Sequence, residues 1–119
     1  MKKRVLVVDD DPSILEVINI MLTEVGGYEV TTTANGESLL KMDCELPDLI
    51  LLDLWLSGMD GMQICKALKA KEETKAIPII IFSANTDIKN IAESAGADGF
   101  IAKPFQMTKL LEKIALLLQ

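Results

Sequence analysis

Short, almost wholly apolar runs alternate along this chain with segments whose apolar residues recur at helical spacing. Residues 4–9 (RVLVVD) read as a buried strand. Ile14, Leu15, Ile18, Met21, Leu22 and Val25 then mark one face of a helix over 12–25, with Asp11 as its N-cap and Pro12 at its first position. Gly26-Gly27 ends it. A β-branched strand follows at 28–33 (YEVTTT), then a short helix around 36–43 carrying Leu39, Leu40 and Met42. Pro47 precedes a third strand, DLILLD, which ends in Asp53. The segment LWLSGMDG reads as a loop leading to a helix over 61–71. Pro78 opens IIIFS, the most apolar strand. A helix over 86–95, capped by Thr86, and a short strand, GFIAK, come next. Pro104 begins the turn to a last helix over 106–118.

Five such β–α units predict an α/β domain, a parallel sheet with helices on both faces. Near-continuous Val/Ile/Leu strands agree, because a parallel sheet is buried on both sides. No linker, repeat or low-complexity stretch interrupts the pattern, so residues 1–119 are expected to form a single domain with no output domain in this chain.

Composition narrows the function. Half of the 119 residues are apolar and a quarter charged, enough for a real core. A net charge of −6 disfavours nucleic acid phosphates and anionic lipid. The apolar run after the basic start is too short for a secretory core, and none is long enough to span a bilayer. Cys44 and Cys65 have no metal or redox spacing and sit among apolar helical residues, the setting of reduced, buried thiols. A cytoplasmic protein fits these features. There is no histidine, so imidazole acid–base chemistry and histidine metal ligands are excluded.

Ligands of an open parallel sheet bind at the carboxyl ends of its strands. Those ends carry Asp9-Asp10, Asp53, Ser83 and Lys103-Pro104. Two unit charges about 5 Å apart repel by roughly 3 kcal/mol at an effective dielectric near 20, so clustered carboxylates need an answering cation. Oxygen ligands with room for water favour Mg²⁺, with Mn²⁺ the alternative. One carboxylate then remains as a nucleophile, and Lys103 and the Ser83 hydroxyl can hold oxygens of a transferring phosphoryl group.

The segments VLVVDDDP, LILLDLWLSGMDG, IIIFSA and GFIAKPF, in this order, closely resemble the response-regulator receiver domain of two-component signalling. The resemblance implies a flavodoxin-like (βα)5 fold with strand order 2-1-3-4-5. It implies Asp53 as phosphoacceptor, taking its phosphoryl group from the phosphohistidine of a sensor histidine kinase or a phosphotransfer protein. Mg²⁺ would be held by Asp10, Asp53 and the backbone carbonyl of Trp55, with Asp9 acting through water. Ser83 and Phe100 would be the switch pair. Pro104 would follow a cis bond that aims Lys103. The face made by the helix over 86–95, the fifth strand and the last helix would be read by a downstream protein, and the chain itself would be a monomer or a phosphorylation-dependent dimer.

The chain departs from the family in places. Ser57 stands where many members have proline, and Trp55 and Asn85 flank the route of a hydrolytic water, which implies slow self-dephosphorylation. Phe100 lacks a tyrosine hydroxyl, so its switch works by packing.

Simpler roles compete for individual residues. Asp11 and Asp60 read as helix caps. Met107, Leu110, Leu111, Ile114, Leu117 and Leu118 read as the core stripe of the last helix, with Leu116 off it. Two other functions are open. A Mg²⁺-dependent aspartyl-nucleophile phosphatase of the haloacid-dehalogenase type would need an acid two residues after the nucleophile, where this chain has Trp55. A flavodoxin-like cofactor binder would need a phosphate-cradling loop after strand one, where this chain has DDDP.

Overall fold

The five apolar runs become the strands of one parallel sheet. The structure is a computed structural model and describes residues 2–34, 46–56 and 59–118, with Trp55, Leu56 and Met59 entering by their backbone alone. The strands are β1 (Arg4–Val8), β2 (Glu29–Thr33), β3 (Leu49–Asp53), β4 (Ile79–Ser83) and β5 (Gly99–Ala102). Their order is β2-β1-β3-β4-β5 and every pairing is parallel. The described helices are α1 (Pro12–Ile20), α2 (Gly61–Ala70), α3 (Ile88–Ala95) and α4 (Met107–Leu117). The helix expected around 36–43, Cys44 and Ser57 lie outside the described residues.

Period-two alternation divides the core between the two faces of the sheet. Val5, Val7, Leu49, Leu51, Ile80, Phe82 and Ile101 meet α1, the turn that follows it and α4 through Ile18, Leu22, Leu110 and Ile114. Leu6, Val8, Ile50, Leu52, Ile79 and Ile81 meet α2 and α3 through Ile64, Cys65, Leu68, Ile88 and Ala92. Both faces of β3 and β4 are thus covered, and all five residues of each are buried. Cys65 is buried beside the Ala95 carbonyl, and burial pushes its thiol up to about 11. Among the described residues, no helix is long and apolar enough to cross a membrane.

Four local expectations change. The helix over 12–25 is α-helical only to Ile20, and Met21–Val25 winds as a π-turn closed by Gly26 N–H on the Met21 carbonyl. That wider turn rotates Val25 off the core stripe, leaving it 60% exposed. The loop after Asp53 contains a two-residue antiparallel pair, Trp55–Leu56 with Met59–Asp60. Helix α3 begins at Ile88 with Asp87 as N-cap rather than at Thr86. Asn85 folds the preceding loop into a turn by accepting Asp87 N–H at its own side-chain oxygen. Met107, at the first position of α4, is 39% exposed rather than buried, because the stripe of that helix enters the core only at Leu110. The caps at Asp11 and Asp60 stand where the sequence puts them, and Gly96 closes α3 in the left-handed conformation.

Candidate functional site

Four of the five strands, β1, β3, β4 and β5, bring polar side chains to the same edge of the sheet. The Asp9 N–H continues the ladder past β1 onto the Thr33 carbonyl. The Lys103 N–H continues it past β5 onto the Ser83 carbonyl at 2.8 Å. A backbone still held by the sheet gives these side chains a fixed origin. The Lys103–Pro104 peptide bond is cis, as expected.

Lys103 joins the acids. Its Nζ lies 3.2 Å from Asp9 Oδ2 and 3.1 Å from Asp53 Oδ1. Asp9 is 1% exposed and Asp53 7%, so both ion pairs are screened far less than surface ones. Asp9 also accepts the Asp11 N–H at 2.9 Å, which fixes the other side of its carboxylate. Asp10 is exposed, yet its carboxylate reaches the same group: Asp9, Asp10 and Asp53 each place an oxygen within 4.8 Å of the others. Three carboxylates and one ammonium leave a formal charge of −2 at the sheet edge. Hard oxygen donors and that charge fit a hard divalent cation.

Burial raises the Asp53 carboxyl above the ordinary aspartate range. The Lys103 hydrogen bond opposes this, and the Asp9 and Asp10 charges reinforce it. Lys103 is therefore the neighbour that favours the ionised form of Asp53. On the exposed rim, the Ser13 hydroxyl and N–H hold Asp11 below the ordinary range, in keeping with a cap.

Ser83 is buried at the end of β4, and its Oγ accepts the Asn85 N–H at 3.0 Å. Asp9, Asp10, Asp53, Ser83 and Lys103 line one open cleft together with Asn85. Phe100 is half-buried on β5, at the same sheet face as Ser83 two positions along the strand pairing. The Trp55 backbone lies two residues past Asp53 in the antiparallel pair, and its side chain lies outside the described residues.

Two residues that the sequence reading passed over support the site. Phe82, fully buried, lies under Lys103: the Nζ sits 4.5 Å from its ring centroid, and Phe105 braces the ring edge-on. Gly61, the first residue of α2, donates its N–H to the Leu54 carbonyl at 2.7 Å. A Cβ there would come within 2.8 Å of that oxygen and collide with the Asp53 carbonyl. The helix can pack against the end of β3 only because the position is glycine.

The family model of the response regulator receiver domain matches residues 5–115. The chain belongs to the response-regulator receiver family. Over 117 residues, 96% of its length, this receiver domain is 38% identical to the DNA-binding response regulator MtrA of Mycolicibacterium smegmatis. It spans about half the length of that relative, covering 50%. A putative response regulator from Chloroflexus aurantiacus superposes with a TM-score of 0.91 at 34% identity, covering 99% of this chain and 98% of that one. The response regulator TrrA of Thermotoga maritima, solved in complex with Mg²⁺ and a beryllium fluoride, matches with a TM-score of 0.85 at 34% identity, covering 97% and 98%. The general role of such domains is phosphoryl acceptance in two-component signalling.

Proposed function

We propose that Asp53 accepts the phosphoryl group in a Mg²⁺-dependent reaction, from the phosphohistidine of a sensor kinase or a phosphotransfer protein. The observation that carries this reading is the Lys103 ammonium bridging two nearly buried carboxylates, Asp9 and Asp53, beside a third at Asp10. Asp10, Asp53 and the Trp55 carbonyl would hold the ion, with Asp9 reaching it through water. Bound there, Mg²⁺ would neutralise charge on the phosphoryl oxygens. An Asp53 oxygen attacks phosphorus in line. The phosphorus–nitrogen bond of the donor breaks, and the bonding pair leaves with the imidazole. Lys103 and the Ser83 hydroxyl hold oxygens of the transferred group.

The Ser83 Oγ only accepts from the Asn85 N–H, so its own O–H is available to donate to the phosphoryl group; Ser83 moves toward that group, and Phe100 turns toward the space it vacates. The surface of α3, β5 and α4 then changes shape and is read by a downstream protein. The chain acts as a stoichiometric switch, with only slow loss of its own phosphoryl group. Steady turnover of small phosphomonoesters would instead indicate a phosphatase.

Trp55 is the sole tryptophan and lies two residues from the acceptor. Its fluorescence is expected to change on adding Mg²⁺ and again with beryllofluoride, the second change being lost in Asp53→Ala. Silence at both steps in folded protein contradicts the assignment.

A further inference from the structure

Helix α4 sends one side chain around the edge of the sheet. Gly99, the first residue of the edge strand β5, faces α4 and has no side chain. A Cβ there would lie 3.5 Å from Lys113 Cδ and 3.8 Å from Leu117 Cδ1, so the lysine stem runs directly over the bare strand. The Lys113 ammonium emerges on the far side, 5.5 Å from the centroid of the Phe100 ring. That is within the range in which a cation is drawn to an aromatic face.

Phe100 packs on the opposite sheet face from α4, against the buried cluster that includes Ile81, Ile88 and Ala92. Lys113 therefore connects α4 to a ring that packs on the other face of the sheet. The strand registers set the geometry of any movement. Phe100 pairs with Ile81, and Ala102, small and exposed, pairs with Ser83. A ring turning toward Ser83 passes over Ala102, toward the carboxyl end of β5. Gly99 and the lysine stem lie at its amino end. Inward rotation therefore carries the ring away from the ammonium.

We propose that Lys113 is a positioning residue for the Phe100 switch, holding the ring in its resting place by a contact that must be surrendered when the acceptor site is filled. This rests on the reading of Asp53 and Phe100 given above. Because the contact stabilises only the resting state, removing it favours the switched state by the same factor. A modestly exposed cation–aromatic contact corresponds to about a two- to fivefold change in an equilibrium.

The test is calorimetric titration of the Mg²⁺-loaded protein with beryllofluoride. Lys113→Met keeps the stem and removes the charge, and is expected to bind the mimic about two- to fivefold more tightly than the parent. Lys113→Arg is expected to match the parent, and Mg²⁺ affinity in the absence of the mimic is expected to be equal in all three. In a Phe100→Ala background Lys113→Met should have no effect, because the ring it acts through is gone. Equal or weaker mimic binding by Lys113→Met, or a gain that persists without Phe100, overturns the latch alone. A parent that binds Mg²⁺ but no mimic overturns the acceptor reading and the latch with it.

Discussion

At the scale of the residue, the site is organised by what surrounds Lys103. Its ammonium has Asp9 and Asp53 on one side and the face of Phe82 on the other. The carboxylates draw it to the strand ends, and the ring prevents it from swinging into the core. Replacing Phe82 by leucine removes the aromatic face and leaves a partial void under the lysine. We expect Phe82→Leu to cost about 1–3 kcal/mol in a denaturant unfolding experiment. Beryllofluoride affinity should fall in the variant under conditions where it remains folded. Unchanged affinity would show that the ring is packing only. Asp53, Ser83 and Lys103 could be read from the sequence because each is a polar residue that ends an apolar run. Phe82 could not, because a phenylalanine after three isoleucines looks like any other core residue. Its second role depends on a lysine that is 21 positions away in the chain.

At the scale of the element, the junction of β3 and α2 matters most. Asp53 ends one and Gly61 starts the other, and they are joined by a hydrogen bond from Gly61 N–H to the Leu54 carbonyl. Gly61→Ala forces a methyl group against the Asp53 and Leu54 carbonyls. The helix must retreat or the strand end must shift. Overpacking of this kind costs about 1–3 kcal/mol. Because the displaced atoms belong to Asp53, the proposed acceptor, mimic affinity should fall more than stability alone explains. Crystallography or amide chemical shifts around Asp53 would locate the displacement, and a variant with unshifted Asp53 would contradict this account of the glycine. The strands were legible because burial on both faces leaves an unbroken apolar signature. The π-turn after α1 and the short antiparallel pair after Asp53 were not. Neither has a period of its own, and both are settled by how a helix end or a loop packs. Glycine at 61 was visible as a loop residue, but the carbonyl it must clear becomes its neighbour only in the folded chain.

At the scale of the whole molecule, the two ends of the sheet do different work. The carboxyl end gathers like charges that must be held apart. The opposite end is tied by neutralised polar contacts. There Asp98 Oδ2 accepts the Ile79 N–H at 2.9 Å and pairs with Lys69 Nζ at 2.6 Å, and the same ammonium donates to the Ile77 carbonyl at 2.8 Å. This knot fixes α2 to the start of β4 and to the turn before β5. Asp98→Ala leaves the Ile79 N–H without its acceptor and removes the carboxylate that pairs with the Lys69 ammonium, so thermal or denaturant unfolding should report a loss of about 1–3 kcal/mol. Mimic affinity of the folded fraction should not change, because the cleft around Asp53 lies at the other end of the strands. A parallel loss of affinity would mean that the two ends are coupled through the sheet.

The central claim is that Asp53 is the atom-accepting group. Its most direct test is to incubate the protein and Mg²⁺ with a small phosphoryl donor such as acetyl phosphate. The acyl phosphate is then trapped by borohydride reduction and located by peptide mass spectrometry. The account predicts modification at Asp53 alone, dependent on Mg²⁺ and absent from Asp53→Ala. Modification at Asp9 or Asp10 in the parent, or undiminished labelling of Asp53→Ala, would contradict it.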